Sequence, residues 1–132
     1  LAASYYNFSS AAGIIYTVDL TKPAGEKVTI LSMANGKPFD LKKNYTVAVN
    51  SYRGNGGGGH LTLGAKIPDK ELTERVITST NKDLRYYLMK WIEDKKVVRP
   101  QALNNWQVIP TDWWEKGKEK DSKILFNEKP SH

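Results

Sequence analysis

Hydrophobic and polar positions alternate in three stretches of the first fifty residues. Residues 14–20 read IIYTVDL, residues 27–33 read KVTILSM, and residues 45–50 read YTVAVN. Short β-branched and aromatic runs bounded by turn residues predict strands. Proline and glycine in residues 21–25 predict a turn, and Asn35-Gly36 is a strong hairpin signal. The first half therefore predicts a sheet of short strands, antiparallel or mixed, without βαβ units.

The second half carries a helical period. Five apolar residues fall on one face of a helix over residues 82–94, namely Leu84, Tyr87, Leu88, Trp91 and Ile92. Thr80 is the predicted N-cap, with Asp83 three residues later in a capping-box position. This stripe, with Tyr86 beside it, is interpreted as core and core edge rather than as a binding platform.

Shorter signals complete the second half. Residues 74–78 are compatible with a short strand, and residues 105–109 predict a last strand. From residue 111 the chain is charged with little period, so we expect a charged tail over 111–132 after a domain spanning 1–110. The predicted fold class is α+β: a mixed, largely antiparallel sheet with one main helix packed on it.

Composition narrows the class of protein. With 132 residues, 39% hydrophobic and 11% aromatic, the chain suits one globular domain. No apolar run approaches the roughly 20 residues that span a bilayer, so no membrane span is predicted. Because there is no cysteine, disulfides and thiolate metal sites are excluded. Leu1 is not an initiator methionine and no signal-peptide n-region follows, so we expect the chain to begin inside a longer protein.

The candidate site is residues 50–60, which read NSYRGNGGGGH. Five glycines within six residues allow backbone that takes unusual conformations or approaches another group closely. The preceding Tyr52 and Arg53 suggest a ligand with a flat ring and an anionic group. Tyr52 is either a stacking platform for a base or a core-edge tyrosine, and the pattern leaves both open. Arg53 is either an anion contact or a surface arginine.

Other chemistries find less support. A P-loop is disfavoured because no periodic helix opens at His60 and no Lys-Ser/Thr pair follows. His60 is interpreted as a structural residue rather than a metal ligand, since acidic clusters at ligand-like spacing are missing. The net charge of +6 favours anionic partners, although many lysines lie near the end of the chain. Trp113-Trp114 suggests a contact surface, and packing against a parent domain is the favoured interpretation.

Two runs carry a family resemblance. Residues 13–28 read GIIYTVDLTKPAGEKV, residues 35–60 read NGKPFDLKKNYTVAVNSYRGNGGGGH, and an N-N-W triplet ends at Trp106. In this order they resemble the C-terminal domain of the 5′-nucleotidase family, which includes the 2′,3′-cyclic-nucleotide 2′-phosphodiesterase/3′-nucleotidases. The resemblance covers most of residues 5–109.

The resemblance implies a division of labour. An N-terminal metallophosphoesterase domain of the same parent chain would carry two divalent metal ions and hydrolyse the phosphoester, so no catalytic residue, metal ligand or cofactor is expected in this chain. The C-terminal domain would hold the nucleoside. Such enzymes are periplasmic, secreted or attached to the cell surface. The partners implied are a nucleotide or nucleoside and that N-terminal domain, and not a nucleic acid polymer.

The resemblance also assigns residues. Tyr52 would stack on the base, the backbone of Asn55, Gly56, Gly57 and Gly58 would approach the nucleoside, and Asn50 and Arg53 would make polar contacts or shape the turn. The usual family turn, N-G-G-D-G-[FY], has a ribose-binding Asp where this chain has Gly58, and an aromatic where it has His60. That departure favours the cyclic-phosphodiesterase/3′-nucleotidase branch. The rival hypothesis is a non-catalytic module that binds a polyanion or a cell-envelope partner.

Overall fold

The described residues divide into two units. The computed structural model describes residues 7–127. Within them, residues 7–8 and 44–102 form one unit, which we call the glycine-loop unit, and residues 9–43 and 103–127 form the other, the sheet unit. The fold class is α+β, as predicted. The predicted packing of the main helix on the sheet stays a prediction, since helix and sheet belong to different units.

A three-stranded mixed sheet defines the sheet unit. Its strands are β1 (Ile14–Asp19), β2 (Val28–Met33) and β3 (Trp106–Ile109), in the order β2-β1-β3. β1 pairs antiparallel with β2, with a bulge between Ile15 and Tyr16, and parallel with β3. All three strands were predicted, within a residue or two of their ends. The sheet is mixed rather than largely antiparallel, because one of its two strand pairings is antiparallel and the other is parallel.

Aromatic side chains hold β3 to its neighbours within the sheet unit. The Tyr16 ring stacks on Trp106 with centroids 6.0 Å apart, and Trp106 meets Trp114 edge to face at 6.3 Å. Tyr16 and Val108 are buried. Aromatic pairs of this kind contribute about 0.5–1.5 kcal/mol beyond the area they bury. Trp113 and Trp114 are 52% and 37% exposed, and Trp114 contacts Trp106, so the predicted contact surface at this pair stays a prediction.

Turn chemistry explains the ends of β1 and β2. After β1, the Thr21 hydroxyl and N–H donate to one Asp19 carboxylate oxygen at 2.6 and 3.0 Å, which lowers the pKa of Asp19. After β2, the Gly36 N–H donates to the Met33 carbonyl at 3.0 Å, and the Met33 N–H donates to Lys37 at 2.9 Å. The Asn35-Gly36 turn therefore forms as predicted, but no strand continues from it.

Helices dominate the glycine-loop unit. The described elements are α1 (Ser51–Gly54), a 3₁₀ turn (Gly57–Gly59), a π turn (His60–Gly64), α2 (Asp69–Leu72) and α3 (Leu84–Lys95). The helix predicted over residues 82–94 is confirmed as α3. Its N-cap is Asp83, whose carboxylate accepts from the Tyr86 N–H at 3.0 Å, so the prediction of Thr80 was wrong.

Two predicted strands are absent from the described residues. Residues 45–50 and residues 74–78 have no strand conformation assigned in the structure. Alternation makes an extended segment compatible with a sheet, but a strand also needs a neighbour to complete its hydrogen-bond ladder. The sheet within residues 7–127 consists of β1, β2 and β3, and neither segment joins it.

The apolar stripe of α3 is not core. Its five residues are between 42% and 70% exposed, so the interpretation as core and core edge is corrected. Among residues 7–127, no helix is long and apolar enough to cross a membrane.

A further helix, α4 (Thr111–Ser122), occupies the region expected to be a charged tail. Ion pairs one turn apart line it: Lys116 with Asp112 at 3.5 Å, Lys118 with Glu115 at 2.8 Å, and, just past its end, Lys123 with Glu119 at 2.8 Å. Such pairs each contribute about 0.2–0.5 kcal/mol to a helix. Periodicity missed α4 because its spacing is in charge rather than in apolar residues. The domain boundary near residue 110 stays a prediction.

Candidate functional site

The candidate site lies at the glycine turn of the glycine-loop unit. Asn50 begins it as the N-cap of α1, since its side-chain oxygen accepts from the Arg53 N–H at 2.8 Å. The chain then turns through Gly56, whose N–H donates to Arg53 at 3.0 Å, and Gly59, whose N–H donates to Gly56 at 3.0 Å. The segment is therefore a series of tight turns rather than an open loop.

Arg53 and Asn7 form a clamp across this turn. The Arg53 guanidinium donates to the Asn7 side-chain oxygen at 2.5 Å, to the Asn7 carbonyl at 3.2 Å and to the Gly57 carbonyl at 3.1 Å. The Asn7 amide group donates in turn to the Gly58 carbonyl at 2.9 Å. Bonds from a guanidinium are stronger than those between neutral groups. The clamp therefore joins a segment 46 residues upstream to the glycine turn.

Tyr52 is the exposed aromatic of the site. It is 58% exposed. The Gly57 backbone lies against it, because a Cβ on Gly57 would come within 2.6 Å of the Tyr52 ring and 2.5 Å of its carbonyl oxygen. The Arg53 guanidinium carbon lies 5.4 Å from the ring centroid, within cation–π range. The ring is thus supported from within the turn while much of its surface faces solvent.

Leu72 supports the turn from α2. It is the buried hydrophobic residue of the described part of this unit, at 8% exposure. A Cβ on Gly56 would lie 3.2 Å from both Leu72 Cδ1 and Thr62 Cγ2, closer than an ordinary van der Waals contact. Glycine at this position therefore lets the backbone approach the leucine side chain.

Replacing Leu72 by alanine is expected to lower the free energy of unfolding of the glycine-loop unit by about 2 kcal/mol, at the low end for a buried leucine because the surroundings are open. Urea denaturation followed by the NMR resonances of the glycine-loop unit measures it. Leu63→Ala is the matched control, since Leu63 is 84% exposed, and we expect it to change stability by less than about 0.5 kcal/mol. Equal effects of the two variants would contradict the role of Leu72.

The predicted site residues divide by what their side chains do. Asn50 and Arg53 are used inside the turn, as its cap and its clamp, whereas Tyr52 and Asn55 are exposed. Gly56 and Gly57 are the places where backbone meets Leu72 and Tyr52. The role of Asn7 could not be predicted, because an asparagine in a Ser- and Ala-rich loop carries no signal of a long-range partner.

The site places a cation beside an aromatic ring. The Arg53 guanidinium supplies a positive charge beside an exposed aromatic ring, which suits a flat ligand with polar groups. His60 is exposed at the end of the turn. Within residues 7–127, no group of three or more histidine, aspartate or glutamate side chains is placed to hold a metal ion.

Comparisons with known proteins point to one family. A family model described as "5'-nucleotidase, C-terminal domain" matches residues 2–65. The Bacillus subtilis (strain 168) protein named "Trifunctional nucleotide phosphoesterase protein YfkN" is 32% identical over 118 residues, which cover 80% of this chain and 7% of that protein.

Two further relatives share one name. The "2',3'-cyclic-nucleotide 2'-phosphodiesterase/3'-nucleotidase" proteins of Haemophilus influenzae and Salmonella typhimurium are 29% and 30% identical over 119 and 125 residues. Each alignment covers 80% of this chain and 17% of the relative. The chain therefore spans less than a fifth of the length of each of these three relatives. No solved structure matches the chain significantly.

Proposed function

Residues 2–65 belong to the 5′-nucleotidase C-terminal domain family, and from this membership we propose that the chain is the nucleoside-binding part of a nucleotide phosphohydrolase. The parent enzyme would belong to the 2′,3′-cyclic-nucleotide 2′-phosphodiesterase/3′-nucleotidase branch, in keeping with the names of two relatives. The observation that carries the proposal is Tyr52, an exposed ring backed by glycine.

In this proposal Tyr52 stacks on the base of the nucleotide. Stacking of a base on an aromatic side chain contributes about 1–3 kcal/mol and tolerates different bases. The backbone of residues 55–58 lies beside the nucleoside, where the absence of side chains on Gly56, Gly57 and Gly58 leaves room. Asn50 and Arg53 act by shaping the turn, which is where the structure uses their side chains.

Hydrolysis belongs to another domain in this proposal. An N-terminal metallophosphoesterase domain of the parent chain would hold two divalent metal ions, which polarise the phosphoryl group and activate the attacking water. The glycine-loop unit would present the nucleotide to that centre. The parent enzyme would act in the periplasm, outside the cell or at its surface, where extracellular nucleotides are available.

The rival proposal, a module that binds a polyanion or an envelope partner, has less support. It depends on the basic C-terminal region, yet residues 111–127 contain four lysines and four acidic residues. Three of those lysines pair with acidic neighbours. The positive charge is therefore not concentrated beside Trp113, and the nucleoside-binding proposal is preferred.

Because the proposal assigns phosphoester chemistry to another domain, we expect the purified 132-residue chain to bind 3′-AMP without hydrolysing it. Phosphate release from 3′-AMP and 2′,3′-cyclic AMP, assayed with added Mn²⁺ or Co²⁺, should equal the rate without protein. Binding is measured in parallel by NMR titration of the Tyr52 resonances. Turnover that persists through two independent purification schemes would contradict this division, and a chain that binds neither nucleotide would contradict the binding role.

A further inference from the structure

The Asn7–Arg53 clamp connects two segments that the sequence gives no reason to connect. Three bonds run from the Arg53 guanidinium to Asn7 and Gly57, and a fourth runs from the Asn7 amide group to Gly58. Arg53 is partly buried, whereas Tyr52 beside it is largely exposed. Two neighbouring residues of α1 therefore face different surroundings: the Arg53 side chain contacts the protein, and the Tyr52 ring is largely exposed to solvent.

The clamp occupies the space above Gly58. A Cβ at that position would overlap both the Arg53 guanidinium and the Asn7 carboxamide, and Gly58 has a φ of +74°. The neighbouring Gly57 is the residue whose backbone supports the Tyr52 ring. Whatever fixes the carbonyls of Gly57 and Gly58 therefore also fixes the support of the ring. Asn7 and Arg53 bond to those two carbonyls.

We propose that Asn7 and Arg53 are positioning residues, which set nucleoside affinity by holding the glycine turn against Tyr52 without touching the ligand themselves. This inference rests on the proposed function. A preformed platform binds more tightly because the turn is already ordered before the ligand arrives, so ordering it does not reduce the binding free energy. The clamp thus gives Arg53 a task other than the anion contact that its position beside Tyr52 first suggests.

The two roles of Arg53 make different demands on the ligand. An anion contact would favour 3′-AMP over adenosine, and lysine would replace it in large part because lysine keeps the charge. A positioning residue affects adenosine and 3′-AMP equally, and lysine fails because an ammonium group lacks the planar fork that serves several carbonyls at once. Comparing the two ligands in one variant therefore separates the roles.

The test uses the full 132-residue chain with adenosine and 3′-AMP as probes. Dissociation constants from NMR titration are compared for Asn7→Ala, Arg53→Lys and the double variant. We expect both single variants to bind both ligands about tenfold more weakly, as for the loss of a bond to a charged group. The double variant should be no weaker than either single one, because the two residues act as a unit. Melting temperatures are recorded alongside.

Matched controls come from the same unit. Arg75→Lys changes an arginine paired with Glu71 at the surface, and Asn81→Ala removes an exposed asparagine. Both should leave the two dissociation constants unchanged. Asn7→Asp keeps an acceptor for Arg53 but loses the amide donor to Gly58, so it should restore only part of the affinity lost in Asn7→Ala. That rescue would not be expected if Asn7→Ala weakened binding only by unfolding the chain.

Each outcome decides the proposal. Unchanged affinity in Asn7→Ala, additive losses in the double variant, or a loss in Arg53→Lys confined to 3′-AMP would overturn it. If Tyr52→Ala binds as the unmodified chain does, or if that chain binds neither ligand, the proposed function fails instead. The clamp then stands or falls on hydrogen exchange of the Gly56 and Gly59 amides, which donate hydrogen bonds within the glycine turn; unchanged rates in Asn7→Ala overturn it.

Discussion

Replacing Gly57 by alanine is expected to lower the free energy of unfolding of the glycine-loop unit by about 3 kcal/mol, the upper end of the range for added methyl groups. The new Cβ would lie 2.5 Å from the Tyr52 carbonyl oxygen and 2.6 Å from two carbons of its ring. A carbonyl of the main chain cannot move aside as the end of a long side chain can. Relief therefore requires the turn to withdraw from Tyr52.

The same substitution should weaken nucleoside binding, because the Tyr52 ring loses its support. Urea denaturation followed by the NMR resonances of the glycine-loop unit measures the stability, and titration with adenosine measures the affinity. Gly54→Ala is the matched control, since its Cβ would have Val49 at 3.6 Å as its nearest contact, an ordinary van der Waals distance. At an unstrained position, alanine is expected to be neutral or stabilising by about 0.4–1 kcal/mol.

Gly57 and Gly54 lie close together in the chain and receive the same methyl group. Comparing the two variants therefore separates the effect of a steric clash from the effect of lower backbone entropy in the unfolded chain. If the two variants have equal stability, the packing of Gly57 on Tyr52 is not a feature of the folded protein. If Gly57→Ala is unstable but binds adenosine normally, the support of the ring does not matter for binding.

The strands of the sheet unit could be predicted because the residue types within each strand favour an extended conformation. β1 and β2 are rich in β-branched residues, and turn chemistry marks their ends. Residues 45–50 have the same alternation, yet they join no strand in the described structure. A sequence shows that a segment is compatible with a sheet, whereas the partner that completes its hydrogen-bond ladder comes from the fold.

The helices show the limits of periodicity. α3 has an apolar stripe, so its existence could be predicted, although the same stripe wrongly suggested burial. The spacing of apolar residues shows which residues share a face of the helix, but it does not show what packs against that face. α4 has no such stripe and was missed, although its paired charges recur at helical spacing. The contact of the Trp114 ring with Trp106 within the sheet unit is visible only in the structure.

The glycine run indicates a candidate site in the sequence, but the contacts within that site could not be predicted. The glycine run indicates close approach without saying what approaches. In the structure, Tyr52 lies against Gly57 and Leu72 lies against Gly56. The side chains of Arg53 and Asn7 fill the space beside Gly58. The contribution of Asn7 depends on closing 46 residues of chain, and such a contact leaves no local pattern.

Substituting Tyr52 by alanine is expected to weaken binding of adenosine and 3′-AMP by roughly 30-fold, the middle of the range for one stacked base. The ring is 58% exposed, so its removal should cost little stability while it deletes the stacking surface. Tyr52→Phe and Tyr52→Trp keep an aromatic face and should bind within about threefold of the unmodified chain, because stacking does not need the hydroxyl.

Tyr87→Ala is the matched control for Tyr52→Ala, since Tyr87 is a partly exposed tyrosine on α3 of the same unit. It should bind both ligands as the unmodified chain does. In an enzyme that contains this chain, Tyr52→Ala should raise KM for 3′-AMP by a similar factor. If Tyr52→Ala leaves KM and both dissociation constants unchanged, Tyr52 is not a stacking platform, and the glycine turn serves folding alone.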